Sequence, residues 1–414
     1  MWRKAVTSLL IGMKPSGLFS PRYLSIILAA LLVTGLLFSR ALLSIMMASG
    51  LLLLLIPSVR QVFAAVFKRP LIFLLTGIIL FYAWLFFLDP QRYTLERMAL
   101  HLGVISLLCL LHFIAASSDR LLPFILIAGV LSTLPTVYDM IMHKGLAALY
   151  EKGQAAYTLM QGDHQRFSIW ISGCLGLAWY YWLMEHKKQA LWFVLYFTAF
   201  LVLLSVRTGW LFAGLVTAGG GIIYLQRQQK RIYWIRSILG VILIMAIAYS
   251  VPFVRNKIHY MQWEWSERKA AEKSAGSDAV RRMVNESAVE LIRENPMGLG
   301  EGKAALALKE RIKVNYPDAA VRFQWPFNQY LKWWLSAGWV MGTLPFLLVL
   351  YLLYRLYFTR NYLTGIWVLF IALTGFYEST LEMQYGFFLG VFFTGLLYLY
   401  ESGLSKRTVL RAFR

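Results

Sequence analysis

Apolar runs recur along this 414-residue chain, each close to the ~20 residues needed to cross ~30 Å of hydrocarbon, with short charged or turn-rich breaks between them. The runs fall at about 23–39, 41–58, 70–88, 98–116, 121–141, 167–184, 190–206, 208–225, 233–253, 331–354, 363–379 and 385–401. A backbone in lipid must satisfy its own hydrogen bonds, which leaves helices or a closed barrel, and the runs lack the alternation of barrel strands. The expected fold class is therefore an all-α integral membrane protein with about 12 transmembrane helices. Only Ser39 and Arg40 separate the first two runs, which predicts a tight hairpin, and Pro123 and Pro135 predict a kink in the fifth. A soluble globule is excluded, because 59% of the residues are hydrophobic and only 15% are charged.

Basic residues set the orientation. One side of the membrane receives Arg3, Lys4, Lys14, Arg22, Arg60, Lys68, Arg69, Arg120, Lys187, Lys188, Arg227, Lys230, Arg231, Arg355, Arg360, Lys406, Arg407, Arg411 and Arg414. The short loops of the other side carry fewer, among them Arg40, Arg92, Arg97 and Arg207. The positive-inside rule then places both termini in the cytoplasm of a bacterial inner membrane. The formal net charge of +21 is thereby mostly a topology signal, and no basic soluble domain exists to bind nucleic acid. Residues 1–22 hold Pro15 and Pro21 and no small-residue cleavage site, so a cleaved leader is not expected. Cys109 and Cys174 lie in apolar runs as core residues, and no CxxC, HExxH, EF-hand or Walker pattern suggests a metal or nucleotide.

Three regions follow: nine helices over 1–253, one large periplasmic loop over 254–330, and three helices with a basic cytoplasmic tail over 331–414. Within the loop, Val280, Met283, Val284, Ala288, Leu291 and Ile292 recur at helical spacing from Ser277-Asp278 to Asn295-Pro296, and a second helical stretch is predicted over 303–313. Between them, Gly298, Gly300 and Gly302 resemble a phosphate loop superficially. No strand precedes them and no Gly-Lys-Ser/Thr follows, so a turn folding the loop back against the membrane is the better reading. Arg207 interrupts an apolar stretch. It either snorkels to the interface or, since charge in a membrane costs a few kcal/mol, serves a site.

Several segments resemble one family in order. Leu204-Ser205-Val206-Arg207-Thr208-Gly209 resembles the Ser-x-Arg-Ser/Thr-Gly signature of the O-antigen ligase and polymerase superfamily. The stretch from Arg281 to Asn295-Pro296-Met297-Gly298-Leu299-Gly300 resembles that family's loop helix and its Asn-Pro-x-Gly-x-Gly end. Pro326-Phe327-Asn328-Gln329-Tyr330-Leu331 resembles its Pro-His-Asn-Gln-Tyr-Leu tract. Glu378-Ser379-Thr380-Leu381-Glu382 and His164-Gln165-Arg166-Phe167-Ser168 resemble two further outer-face blocks, so the likeness runs over about 160–400.

The resemblance implies a glycosyl transfer that needs no metal or other cofactor, from undecaprenyl-pyrophosphate-linked glycan to a sugar hydroxyl such as that of lipid A–core, at the periplasmic face. Forked guanidinium groups can stabilise a departing pyrophosphate. Arg207 and Arg281 match the family's arginines, with Arg282 the alternative to Arg281 and Arg166 a further cation for the pyrophosphate. Phe327, Asn328 and Gln329 match the acceptor region. Phe327 stands where the family has a histidine, and phenylalanine cannot take a proton. His164, Glu378 and Glu382 are then the candidate bases. His164 is expected to stay neutral because of Arg166 nearby, and Glu378 and Glu382, at i and i+4, share a face if helical. Competing readings are a polysaccharide polymerase, a protein O-oligosaccharyltransferase, a catalytically lapsed scaffold and a lipid-linked glycan transporter.

Overall fold

The computed structural model describes residues 21–53, 55, 75–117, 121–142, 157–160, 163–204, 206–228, 249–250, 252–266, 277–317, 325–379, 381 and 384–402. Every regular element among them is a helix. In chain order these are α1 Pro21–Phe38, α2 Arg40–Leu53, α3 Leu75–Leu88, α4 Arg92–Leu102, α5 Val104–Ser117, α6 Leu121–Met142, α7 His164–Leu183 and α8 Ala190–Leu204. They continue with α9 Arg207–Gln228, α10 Pro252–Ser266, α11 Ser277–Glu294, α12 Glu301–Asn315, α13 Gln329–Phe358, α14 Tyr362–Thr374 and α15 Gln384–Glu401. The segment Arg92–Ala115, α6 and α13 are long and apolar enough to cross a membrane, and six shorter apolar helices accompany them. The chain is a membrane protein. Most of the predicted run 233–253, part of 70–88, Glu382 and Ser205 lie outside the described residues.

Helix α7 is the hub of the bundle. All of Phe167–Tyr180 is buried, and α6, α8, α9 and α15 surround it. Between helices already in lipid, the hydrophobic effect offers no drive to associate, so close approach of small residues and packing of rings must hold them. Gly173 illustrates this: a Cβ there would stand 2.2 Å from ring carbons of Phe393. Trp170, Phe392 and Phe393 pack beside it, and the Trp170 indole N–H donates to Ser132 Oγ at 3.0 Å.

Helices α11 and α12 obey different physics. Val284, Ala288, Leu291 and Ile292 of α11 meet Ala304, Leu308 and Ile312 of α12, with Leu335 of α13 completing the cluster. Burying each larger aliphatic side chain from water contributes about 1.5–3 kcal/mol. The two elements begin and end within three residues of the helical stretches read from the sequence. A distant carboxylate starts α12: Asp89 Oδ2, six per cent exposed, accepts from the backbone N–H of Gly302 at 2.8 Å and of Lys303 at 3.1 Å.

The run 331–354 falls within α13, long and apolar enough to span, which breaks at Gly338 (φ 78°, ψ 176°). The glycine turn fills the break. Leu299 N–H donates to Leu335 O at 3.1 Å, Gly300 N–H to Ser336 O at 2.9 Å, and Trp339 N–H to Pro296 O at 2.9 Å. Gly298 and Gly338 both have positive φ and touch: a Cβ on Gly298 would lie 2.4 Å from the Gly338 nitrogen. The turn thus supplies hydrogen bonds that the interrupted helix cannot make for itself. The run 363–379 shortens, since α14 stops at Thr374 and the Gly375 carbonyl accepts from Gln329 N–H at 2.7 Å. Glu378 stands in the connection beyond, with non-helical backbone, and Glu382 lies outside the described residues.

Candidate functional site

The starts of α7, α9 and α13 and the end of α14 meet at one end of the bundle, and the start of α11 lies against them. Arg281, in the second turn of α11, places Nη2 2.7 Å from Oε1 of Glu378. Its guanidinium carbon lies 5.4 Å from the Phe327 ring centroid, a cation–π arrangement of the kind that contributes about 0.5–2 kcal/mol. The Gln165 side-chain amide donates to the same Glu378 oxygen at 2.6 Å. One turn along α7, Ser168 Oγ donates to Gln165 O at 2.7 Å and lies 2.9 Å from Thr208 Oγ1. Thr208 follows Arg207, the first residue of α9. A connected polar array therefore runs from Arg281 through Glu378, Gln165 and Ser168 to the residue beside Arg207.

Burial raises the Glu378 carboxyl above the usual carboxylate range; Arg281 and the Gln165 amide oppose it, Asp163 adds to it, and Arg166 opposes it. Hydrogen bonds to charged groups contribute about 1.5–3 kcal/mol each, enough for this carboxylate to hold α11 against the bundle.

Arg207 begins a helix that has no acidic residue in its first turn. A helix N-terminus is already positive, and adding a cation costs up to about 1 kcal/mol unless an anion sits there. Arg166 occupies the third position of α7, where Asp163 is its partner. Asp163 caps the helix, accepting from Arg166 N–H at 3.0 Å, and its carboxylate pairs with the Arg166 guanidinium.

His164 opens α7, with Nδ1 3.2 Å from Thr158 Oγ1. Its pKa is lowered, as expected, but for another reason: burial is the main cause, with Asp163 opposing it. Arg166 is turned to Asp163 instead. Arg282 is partly buried beside Arg281, yet the contact with Glu378 belongs to Arg281. Asn328 caps α13, its Oδ1 accepting from Tyr330 N–H at 2.9 Å and Leu331 N–H at 3.2 Å. Gln329 is buried, and its Oε1 accepts from Leu381 N–H at 3.2 Å. Ser379 Oγ donates to Pro326 O at 2.7 Å, which closes the connection after α14 over the start of α13.

The five segments singled out in the sequence thus meet at one place. The joining residues Gln165 and Ser168 were visible only as parts of a block, and Asp89 carried no signal, since a cap from a remote loop has no sequence pattern. Among the described residues no cluster of His, Cys, Asp and Glu could hold a metal ion.

Residues 192–347 match the family model for O-antigen ligase. The match supports membership of the O-antigen ligase superfamily. The O-antigen ligase domain contains Arg207, Arg281, the glycine turn, Phe327 and Gly338, while Gln165 and Glu378 reach it from either side. No curated protein matches the chain.

Proposed function

We propose that this chain is a glycosyltransferase that moves a glycan from undecaprenyl pyrophosphate to the hydroxyl of a periplasmic sugar acceptor, lipid A–core being the first candidate. The chain would cross the inner membrane about a dozen times with both termini in the cytoplasm, the segment 254–330 being periplasmic. The observation that carries this reading is the array joining Arg281 to the start of α9, in a chain whose matched domain holds both arginines. In the proposed reaction the acceptor oxygen bonds to the anomeric carbon as the bond to the pyrophosphate oxygen breaks. Arg207 and Arg281 bind the pyrophosphate and stabilise its growing negative charge. Glu378 and Phe327 hold Arg281 in place. The acceptor proton passes to His164, Glu378 or Glu382, and Asn328 and Gln329 shape the acceptor side. A polymerase would use the same site with a lipid-linked glycan as acceptor.

The test is in vitro transfer from undecaprenyl-pyrophosphate glycan. Arg207→Ala and Arg281→Ala should lose transfer by orders of magnitude while still inserting, and full activity in Arg207→Ala overturns the reading. His164→Ala and Glu378→Gln, each compared with Phe327→His, identify the base. One observation favours a second reading, a catalytically lapsed scaffold: a phenylalanine occupies position 327. Activity arising only in Phe327→His would establish it.

A further inference from the structure

The break at Gly338 divides α13 into a short piece, 329–337, and a continuous helix, 339–358. At 1.5 Å per residue the second piece spans ~30 Å, the thickness of a bilayer's hydrocarbon. Its exposed apolar side chains form a stripe along one side: Val340, Leu347, Leu350 and Tyr354. The spacing of seven, three and four residues is that of a single helix face, which on a membrane helix faces lipid. The stripe does not stop at the break. Met297, in the turn that fills it, is 60% exposed, beside Trp339 at 47% and Val340 at 80%. Trp339 stacks on Trp334 with ring centroids 5.3 Å apart, in the position of an interfacial aromatic belt. The hydrogen bond from Trp339 N–H to Pro296 O fixes Met297 at that level.

We infer that the 295–300 turn is a membrane contact, with Met297, Trp339 and Val340 meeting lipid at the outer boundary of the hydrocarbon. The partner is the bilayer itself, because the patch continues a lipid-facing stripe without interruption. Helix α11 is then tied to the membrane surface at both ends, by Arg281 on Glu378 and by the turn on Gly338. It lies across the end of the bundle like a roof beam. The contact does not depend on the transferase reading and would hold in a scaffold equally.

The test uses the full chain in phosphatidylcholine nanodiscs, with a bimane label on Met297→Cys, Val340→Cys or Lys313→Cys. Cys109 and Cys174 are buried and do not compete for the label. Brominated phosphatidylcholine should remove most of the fluorescence at 297, as it does at 340, and leave 313 unchanged, while aqueous iodide shows the reverse order. Quenching at 297 by iodide alone places the turn in water and overturns the inference. Protection from both quenchers means that protein covers it, and overturns it too. The unsubstituted chain gives an independent measure: a photoactivatable acyl-chain lipid should crosslink at Met297 as well as at Val340, and crosslinks at Val340 alone count against the contact.

Discussion

Arg281 and Glu378 meet at 2.7 Å although one belongs to α11 and the other to the connection after α14, 97 residues further along the chain. The carboxylate is shared with Gln165, so its charge governs both the position of Arg281 and the packing of α7 beneath it. Protonation must weaken both contacts. Burial raises the Glu378 pKa, so the proton binds above the usual range near ~4.3. Activity should be present above the raised value and lost as pH falls through it. Glu378→Gln should lower turnover and remove that acid limb, as a pH profile of both proteins would reveal. An unchanged limb in the variant would separate Glu378 from catalysis.

Arg207 and Arg281 should tolerate lysine poorly, since a point charge lacks the bidentate fork. Transfer by Arg207→Lys should remain closer to the alanine variant than to the parent. Arg282→Ala should be milder than Arg281→Ala, because Glu378 and Phe327 engage Arg281. Equal losses in the two alanine variants would remove that distinction.

Gly298→Ala and Gly338→Ala should each destabilise the fold by on the order of 1–3 kcal/mol or more, because positive φ and a backbone contact coincide at both positions. Gly214→Ala and Gly221→Ala are the controls. Nothing lies within 4 Å of a Cβ at either, so these should be neutral or slightly stabilising. Thermal unfolding in detergent compares the four variants.

Lys332 and Glu301 are each about 3% exposed, with Nζ and Oε1 3.5 Å apart and the ammonium 4.3 Å from the Trp325 ring centroid. Removing one partner strands a buried charge, at a cost of about 3–5 kcal/mol. Lys332→Met or Glu301→Leu should therefore destabilise more than the double variant does, and a double-variant cycle by thermal unfolding measures the difference. Additive losses would mean that the pair is not coupled.

Topology is tested by an impermeant maleimide on cells. Lys313→Cys should label from the periplasm, and Lys188→Cys only after the inner membrane is opened. The reverse order would place the arginine site in the cytoplasm.

Much of this arrangement was legible in the sequence, for reasons that also explain the rest. Helices α11 and α12 announce themselves by apolar spacing, since a helix on water must keep one face polar. The break in α13 does not. Gly338 sits within an apolar run, and hydropathy cannot register that backbone partners arrive from Pro296, Leu299 and Gly300. The end of α14 was misread because Phe376 and Tyr377 extend the apolar signal past the carbonyl of Gly375, which Gln329 takes. Arg207 stands out by its position in an apolar run and Arg281 by resemblance, but Glu378 as the anchor of Arg281 required the structure.

The broken helix also sets a rule for exchanging parts between relatives. Residues 296–300 and 335–339 complete one another's main-chain hydrogen bonds, so they form one cassette despite their separation along the chain. A chimera that imports a foreign loop while keeping its own α13 would leave the carbonyls of Leu335 and Ser336 without these donors. Grafts should therefore carry both stretches from the same parent, with the junctions set outside the cassette.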